Sequence, residues 1–225
     1  MFPLYDVNRS RHKPYVNWIL IGLNVIVFLF QILSEDERAL ILNYGVVPIY
    51  ILHGERLYTL FTSMFMHANL FHIFGNMLYL WIFGDNVEDR FGHFKYLFLY
   101  LFFGLMGDLL HILMAYLGGD PYSLLIPAIG ASGAISGVLG AYMVFYPRAR
   151  IVTLVFAFYF IRTAVIPSIF FIGFWFLLQL LYATFGTLSG VAAWAHVGGF
   201  VAGMILALLY RSRPERVRWT TIYPE

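Results

Sequence analysis

Gly130-Ala131-Ser132-Gly133-Ala134-Ile135-Ser136-Gly137 places small residues and one hydroxyl at the head of an apolar run that continues to Tyr146. Within it Gly133, Gly137 and Ala141 recur every four positions, which lays a smooth strip along one side of a helix and lets a second backbone approach closely. A matching strip, Ala195, Gly199 and Gly203, lies in the last apolar run of the chain. Two helices built for close contact in an apolar setting are the signature of a membrane bundle. Ser132 borders one strip and His196 the other.

The composition agrees. Of the 225 residues, 61% are hydrophobic, 20% aromatic and only 12% charged, whereas a soluble domain carries about 25% charged residues. At about 20 residues per span, with loops, the length allows roughly six transmembrane helices and leaves no room for a soluble enzymatic domain. A net charge of +2 is too small to suggest nucleic acid. The absence of cysteine excludes disulfides, thiol nucleophiles and thiolate metal sites.

Outward from Ser132, the spans are expected at Asn17 to Leu33, Leu57 to Phe83, Tyr96 to Leu117, Gly130 to Tyr146, Ser168 to Phe185 and Val191 to Tyr210. The first is read as a retained span, because no small-residue cleavage site follows it. Ser34 to Arg56 reads as an ordered interfacial loop packed beside the bundle, interrupted by charges and by Gly45, Pro48 and Gly54. The second span is expected to end at Gly84-Asp85-Asn86-Val87-Glu88-Asp89-Arg90. Ile151 to Val165, which holds Arg162 and stops before Pro167, reads as a short loop or interfacial piece. The fold class expected is all-α, a polytopic bundle of six transmembrane helices. Residues 1–225 form a single membrane domain, with a cytoplasmic segment at 1–15, a core at 16–210 and a cytoplasmic tail at 211–225.

Basic residues orient this bundle. Three precede the first span, two lie in Asp85 to Lys95, three in Pro147 to Pro167 and four in the tail, so twelve of the fourteen Lys and Arg fall on one side. The positive-inside rule makes that side, and both termini, cytoplasmic. Ser132 is sixteen residues above Arg148 and His196 fifteen above Arg211, which at helical rise puts them about 24 and 22 Å above the cytoplasmic boundary. They share one level in the outer half of the membrane. His72 comes out at about 20 Å, with Asn76 one turn deeper.

A histidine within hydrogen-bond reach of a serine can take its proton during attack and return it to a leaving group. His72 and Asn76, at i and i+4, share a helical face and can donate to a developing oxyanion, with the Ser132 N–H at a helix N-terminus. The plainer reading is that a serine in a glycine-rich span is packing material, and that the other three make interhelical hydrogen bonds. The conjunction of all four favours catalysis. Asp108 and His111 are compatible with a proton relay or a metal pair. A structural role, with Gly104 and Gly107 shaping helix contacts, is preferred, since a His-Glu-x-x-His pattern is missing. His67 is expected to hold the top of the second span or the first loop, and His12, His53 and His93 to be exposed.

The motifs His67-Ala68-Asn69-Leu70-Phe71-His72-Ile73-Phe74-Gly75-Asn76, Gly130-Ala131-Ser132-Gly133 and Ala195-His196-Val197-Gly198-Gly199, in this order, resemble those of the rhomboid intramembrane serine proteases of the basic six-span form. The resemblance runs from about Leu57 to Tyr210. It implies Ser132 as nucleophile, His196 as base, and His72 with Asn76 in the oxyanion hole. It also implies transmembrane protein substrates cut in or near their membrane helices, a lipid bilayer as surroundings, water reaching a cavity open to the outside, and neither cofactor nor metal. The expected location is the inner (plasma) membrane of a prokaryotic cell. Two positions depart from the family pattern. Tyr58-Thr59 stands where some bacterial members have Trp-Arg, and Ser136 stands where an aromatic often stacks on the catalytic histidine. No carboxylate offers itself as a third member of a triad. The rivals are a transporter, which calls for inverted repeats that are not visible, and a rhomboid-like pseudoenzyme, which need not keep Ser132 and His196 together.

Overall fold

The fold is that of a computed structural model, which describes residues 1–157, 160–186 and 192–210. It is a helical bundle with a small sheet at one end. The chain runs β1 (Phe2–Asp6), α1 (Tyr15–Ile32), α2 (Glu37–Tyr44), α3 (Pro48–Leu52), α4 (Thr59–Thr62) and a 3-10 turn at Ser63–Phe65. It continues through α5 (Leu70–Phe91), α6 (His93–Leu117), α7 (Ser132–Phe145), β2 (Arg150–Ala157), β3 (Phe160–Pro167), α8 (Ser168–Phe185) and α9 (Ala193–Tyr210). Four described helices, α1, α6, α8 and α9, are long and apolar enough to cross a membrane. The tail arginines, and the start of the sixth expected span at Val191, lie outside the described residues.

The centre is α7, held against α6 and α9 by backbone contact. A Cβ on Gly199 or Gly203 of α9 would collide with the carbonyl oxygens of Gly133 and Gly137 of α7, and one on Gly107 of α6 would stand 2.6 Å from the Ala195 oxygen. The two strips therefore meet face to face, and the Gly107 side of α6 closes the third edge. Tyr96, Tyr100, Phe103, Tyr142 and Phe200 fill the core between them, each at most 1% exposed.

The second helix differs from expectation at both ends. It begins at Leu70, not Leu57, because Met66 is extended and Asn69 caps the new helix by accepting from the His72 N–H at 2.9 Å. It also runs on to Phe91, so the charged stretch at which the span was expected to end forms its last turns. There Glu88 is buried and its two carboxylate oxygens accept the N–H groups of Val16 and Asn17, at 3.0 and 2.7 Å. A carboxylate on the unsatisfied first-turn donors of α1 is favourable for hydrogen bonding and for the helix dipole alike.

The segment read as a short loop or interfacial piece is an antiparallel hairpin, β2 with β3, and β1 adds to its other side, giving the order β1-β2-β3. The sequences Arg150-Ile-Val-Thr-Leu-Val and Ile161-Arg-Thr-Ala-Val-Ile are rich in β-branched residues, which suit a pleated sheet better than a helix. Asp6 and Asn8 tie this sheet to the bundle. Asn86 Nδ2 of α5 donates to Asp6 Oδ2 at 2.9 Å, and Asn8 Nδ2 donates to Asn86 Oδ1 at 2.7 Å.

Candidate active site

Ser132 is the first residue of α7, and the loop that delivers it is pinned from two sides. Val46 and Ala128 exchange backbone hydrogen bonds at 2.9 and 2.8 Å, and the Gly130 N–H donates to the Ser63 carbonyl at 2.9 Å. The loop between α1 and α5 thus sets the backbone just ahead of Ser132. It is itself closed at the end of α2, where three successive carbonyls, of Leu42, Asn43 and Tyr44, accept from Arg56, Tyr58 and Thr62 at 3.0, 3.0 and 2.7 Å. These satisfy helix-end acceptors that the helix cannot. The loop is stabilised through Tyr58 and its neighbours in the absence of a Trp-Arg pair.

His196, in the first turn of α9, meets Ser132 across the small-residue contact. Its Nε2 lies 2.8 Å from Ser132 Oγ, although 64 residues separate the two in sequence. The shared depth estimated from the sequence is matched by direct contact. On the opposite edge of the ring, Nδ1 lies 2.7 Å from Oε1 of Gln179 on α8. Ser136 also lines the site, and its hydroxyl donates to the Ser132 carbonyl at 2.6 Å, a helix back-bond. The aromatic ring near His196 is Trp175, 6.0 Å away between centroids and tilted by 36°.

His72 and Asn76 face the same space from α5. The Ala68 N–H lies 3.3 Å from His72 Nδ1, which assigns the lone pair to that nitrogen and the proton to Nε2. Gly130, at φ +124°, brings its backbone against this Nε2, so close that a Cβ there would stand 2.8 Å from it. Asn76 Nδ2 is buried and has no hydrogen-bond partner among the described residues, which leaves it free to donate. Ser132, His196, His72 and Asn76 all line one cavity of about 460 Å³, with Gln179 and Trp175 along its α8 side.

The other polar residues fall around this site. Asp108 Oδ2 accepts from Ser63 Oγ at 3.4 Å, and Ser63 in turn holds Gly130, so Asp108 supports the loop and does not reach Ser132. Among the described residues no three His, Cys, Asp or Glu side chains gather as a metal site. Gln31 of α1 clasps the backbone of His67, donating to its carbonyl at 2.6 Å and accepting its N–H at 3.1 Å. The His67 ring packs edge-on against His72, with centroids 5.1 Å apart. His12, His53 and His93 are exposed. Gln179 was not anticipated. Its signal was available, a lone carboxamide in Phe174-Trp175-Phe176-Leu177-Leu178-Gln179-Leu180-Leu181, since an amide in a membrane helix seldom goes without a partner.

A serine hydroxyl bonded to a histidine, with free donors across a cavity, is the arrangement of a serine hydrolase. The Rhomboid domain family model matches residues 54–213. The chain is 31% identical over 167 residues to RHOMBOID-like protein 1 of Arabidopsis thaliana, which covers 73% of this chain and 37% of that protein. It is 28% identical over 131 residues to Rhomboid protease GluP of Bacillus subtilis, covering 57% and 24%, and 27% identical over 203 residues to Rhomboid-like protease 3 of Toxoplasma gondii, covering 88% and 70%. The chain belongs to the rhomboid family, and it is an integral membrane protein. It spans between a quarter and seven tenths of the length of these relatives.

Proposed function

We propose that this chain is an intramembrane serine endopeptidase that cleaves membrane-anchored substrates in or near their transmembrane helices. The observation that carries the reading is the 2.8 Å approach of His196 Nε2 to Ser132 Oγ, at a cavity that also holds a free Asn76 donor.

The chemistry follows from these atoms. Ser132 Oγ attacks the scissile carbonyl carbon while its proton passes to His196 Nε2, and the new C–O bond leaves an anionic oxygen. Asn76 Nδ2, His72 Nε2 and the Ser132 backbone N–H, unsatisfied at the start of α7, donate to that oxygen. The imidazolium then gives its proton to the departing amine as the C–N bond breaks, leaving an acyl-enzyme. A water loses its proton to His196, attacks the ester carbon and releases the carboxylic acid, and the proton returns to Ser132.

On this reading the chain is a single membrane domain over 1–225 with a six-span core at 16–210, both termini cytoplasmic and the catalytic serine in the outer half of a prokaryotic plasma membrane. The distribution of the basic residues supports this orientation. Substrates must present an extended carbonyl to Ser132, although a membrane helix ties up its own backbone.

The test is incubation of the purified protein in liposomes with a panel of single-span membrane proteins, followed by mass spectrometry of the fragments. The expected result is cleavage in or beside a transmembrane helix that disappears in Ser132→Ala. Equal cleavage by folded Ser132→Ala protein, or none of any substrate by the wild type, overturns the proposal.

A further inference from the structure

A histidine acting as base toward Ser132 must offer a lone pair at Nε2, and neutral imidazole divides between two tautomers unless a neighbour chooses one. In triad hydrolases a buried carboxylate at Nδ1 chooses. Here the atom facing His196 Nδ1 is Gln179 Oε1, at 2.7 Å. Gln179 is 9% exposed and is the only carboxamide in α8. Its partner ring is already committed on the other edge to Ser132, so the two contacts lie in series through one imidazole.

We infer that Gln179 is a positioning residue for catalysis, whose Oε1 accepts the Nδ1–H of His196 and so holds the ring in the tautomer that turns its Nε2 lone pair toward Ser132. This rests on the roles proposed for Ser132 and His196. A carboxamide can turn either end to its partner, but the ends are not equivalent here. With the NH2 group inward, Nδ1 would be the acceptor, the proton would sit on Nε2, and the ring could not receive the serine proton. The oxygen-inward orientation is the one that makes a base. Trp175, on the same helix one turn before Gln179, stands beside the ring, so α8 supplies both the hydrogen bond and the nearest aromatic to His196. The family position where an aromatic often does this work is Ser136, whose hydroxyl is spent on its own helix. Gln179 and Trp175 together occupy that role from a different helix.

A merely structural hydrogen bond between α8 and α9 would register in unfolding and leave turnover alone. A positioning residue registers in kcat at unchanged KM. The experiment compares wild type, Gln179→Met, Gln179→Glu and Ser132→Ala on one single-span substrate in liposomes, recording kcat, KM and thermal unfolding. It adds the ¹⁵N spectrum of the wild-type histidine rings, with His196 assigned by difference against His196→Ala. Gln179→Met is expected to lower kcat about tenfold to a hundredfold, by analogy with the loss of a hydrogen-bond partner that orients a metal-bound histidine. Gln179→Glu, which keeps an oxygen at Nδ1, is expected to recover most of that loss, and the wild-type spectrum to show His196 protonated at Nδ1 alone. Wild-type kcat in folded Gln179→Met protein, or a wild-type ring protonated at Nε2, overturns the inference. If Gln179→Met does not fold, the wild-type tautomer decides. Undiminished cleavage by Ser132→Ala would instead remove the protease reading, while the tautomer would still report whether Gln179 holds the ring.

Discussion

Asp6 and Tyr142 are 136 residues apart in the chain, and the Tyr142 hydroxyl donates a 2.6 Å hydrogen bond to Asp6 Oδ2. The contact joins the end of β1 to the middle of α7, the helix that begins with Ser132. Asn86 of α5 donates to the same oxygen, so one carboxyl group links the sheet to two helices of the core.

Burial pushes the pKa of Asp6 from an ordinary 3.8 up to about 7, with the nearby Asp85 charge adding to it against the lowering effect of Tyr142 and Asn86. The folded state then binds more protons than the unfolded state between these values, and stability falls as pH rises through that window. Thermal unfolding in detergent is expected to show a midpoint that is higher at pH 5 than at pH 8. Asp6→Asn should flatten the dependence. An equally steep dependence in Asp6→Asn would place its origin elsewhere.

In the proposed mechanism Ser132→Ala and His196→Ala each remove a participant in the same covalent step, so either alone should abolish cleavage, and combining them should add little. Both proteins should remain folded, since alanine at position 132 preserves the close helix contact. Fragment yield beside a thermal unfolding curve for each variant checks this. Loss of cleavage only where the protein unfolds would leave Ser132 as packing material.

Asn76→Ala should lower turnover by about a hundredfold to a thousandfold, as removal of an oxyanion donor does in soluble serine proteases, or by less where His72 and the backbone compensate. Gly130→Ala should be at least as damaging. Its Cβ would stand 2.7 Å from His72 Cε1 at a φ of +124° that L-residues rarely adopt, so both the donor and the backbone ahead of Ser132 must move. Single-turnover phosphonylation of Ser132 by a fluorophosphonate probe, with fluoride as the leaving group, separates these effects from binding of the protein substrate.

At the contact of α7 with α9, Gly199→Ala and Gly203→Ala each push a methyl group into a carbonyl oxygen of the facing helix. The helices must separate, and the expected loss of stability is about 1–3 kcal/mol each, the range for overpacking. Gly22→Ala on α1, where a Cβ meets nothing within 4 Å, is the control, expected not to lower the unfolding midpoint, since alanine is the better helix former.

Much of this was legible from residues alone. The strips of small residues identified the helix contact, because every fourth position along a helix falls on one side. Ser132, His196, His72 and Asn76 stood out because polar groups inside apolar runs are costly. Gln179 escaped because it belongs to no motif and its partner lies seventeen residues on, beyond helical periodicity. The sheet escaped for a related reason. Hydrophobicity does not distinguish a buried strand from a span fragment, and β1, five residues long with a proline, finds its partner only after four long helices. The burial of Glu88 was hidden because its ligands, the N–H groups of α1, leave no mark in the sequence.

The pairing of β1 with β2 also orders events in time. β1 is synthesised first among the elements, yet its register partners Ile151 to Leu154 follow Tyr142, which itself comes 136 residues after Asp6. At about 5–20 residues per second on the ribosome, β1 waits roughly 7–30 s for its neighbour to be made. Through that interval its backbone donors and acceptors are open to water or to other strands, and the intervening helices up to α7 must enter the bilayer without it. Pairing of β1 with β2 therefore follows synthesis of the helices up to α7 but can precede that of α8 and α9, and Asp6 meets Tyr142 only once the helix that begins with Ser132 has been built.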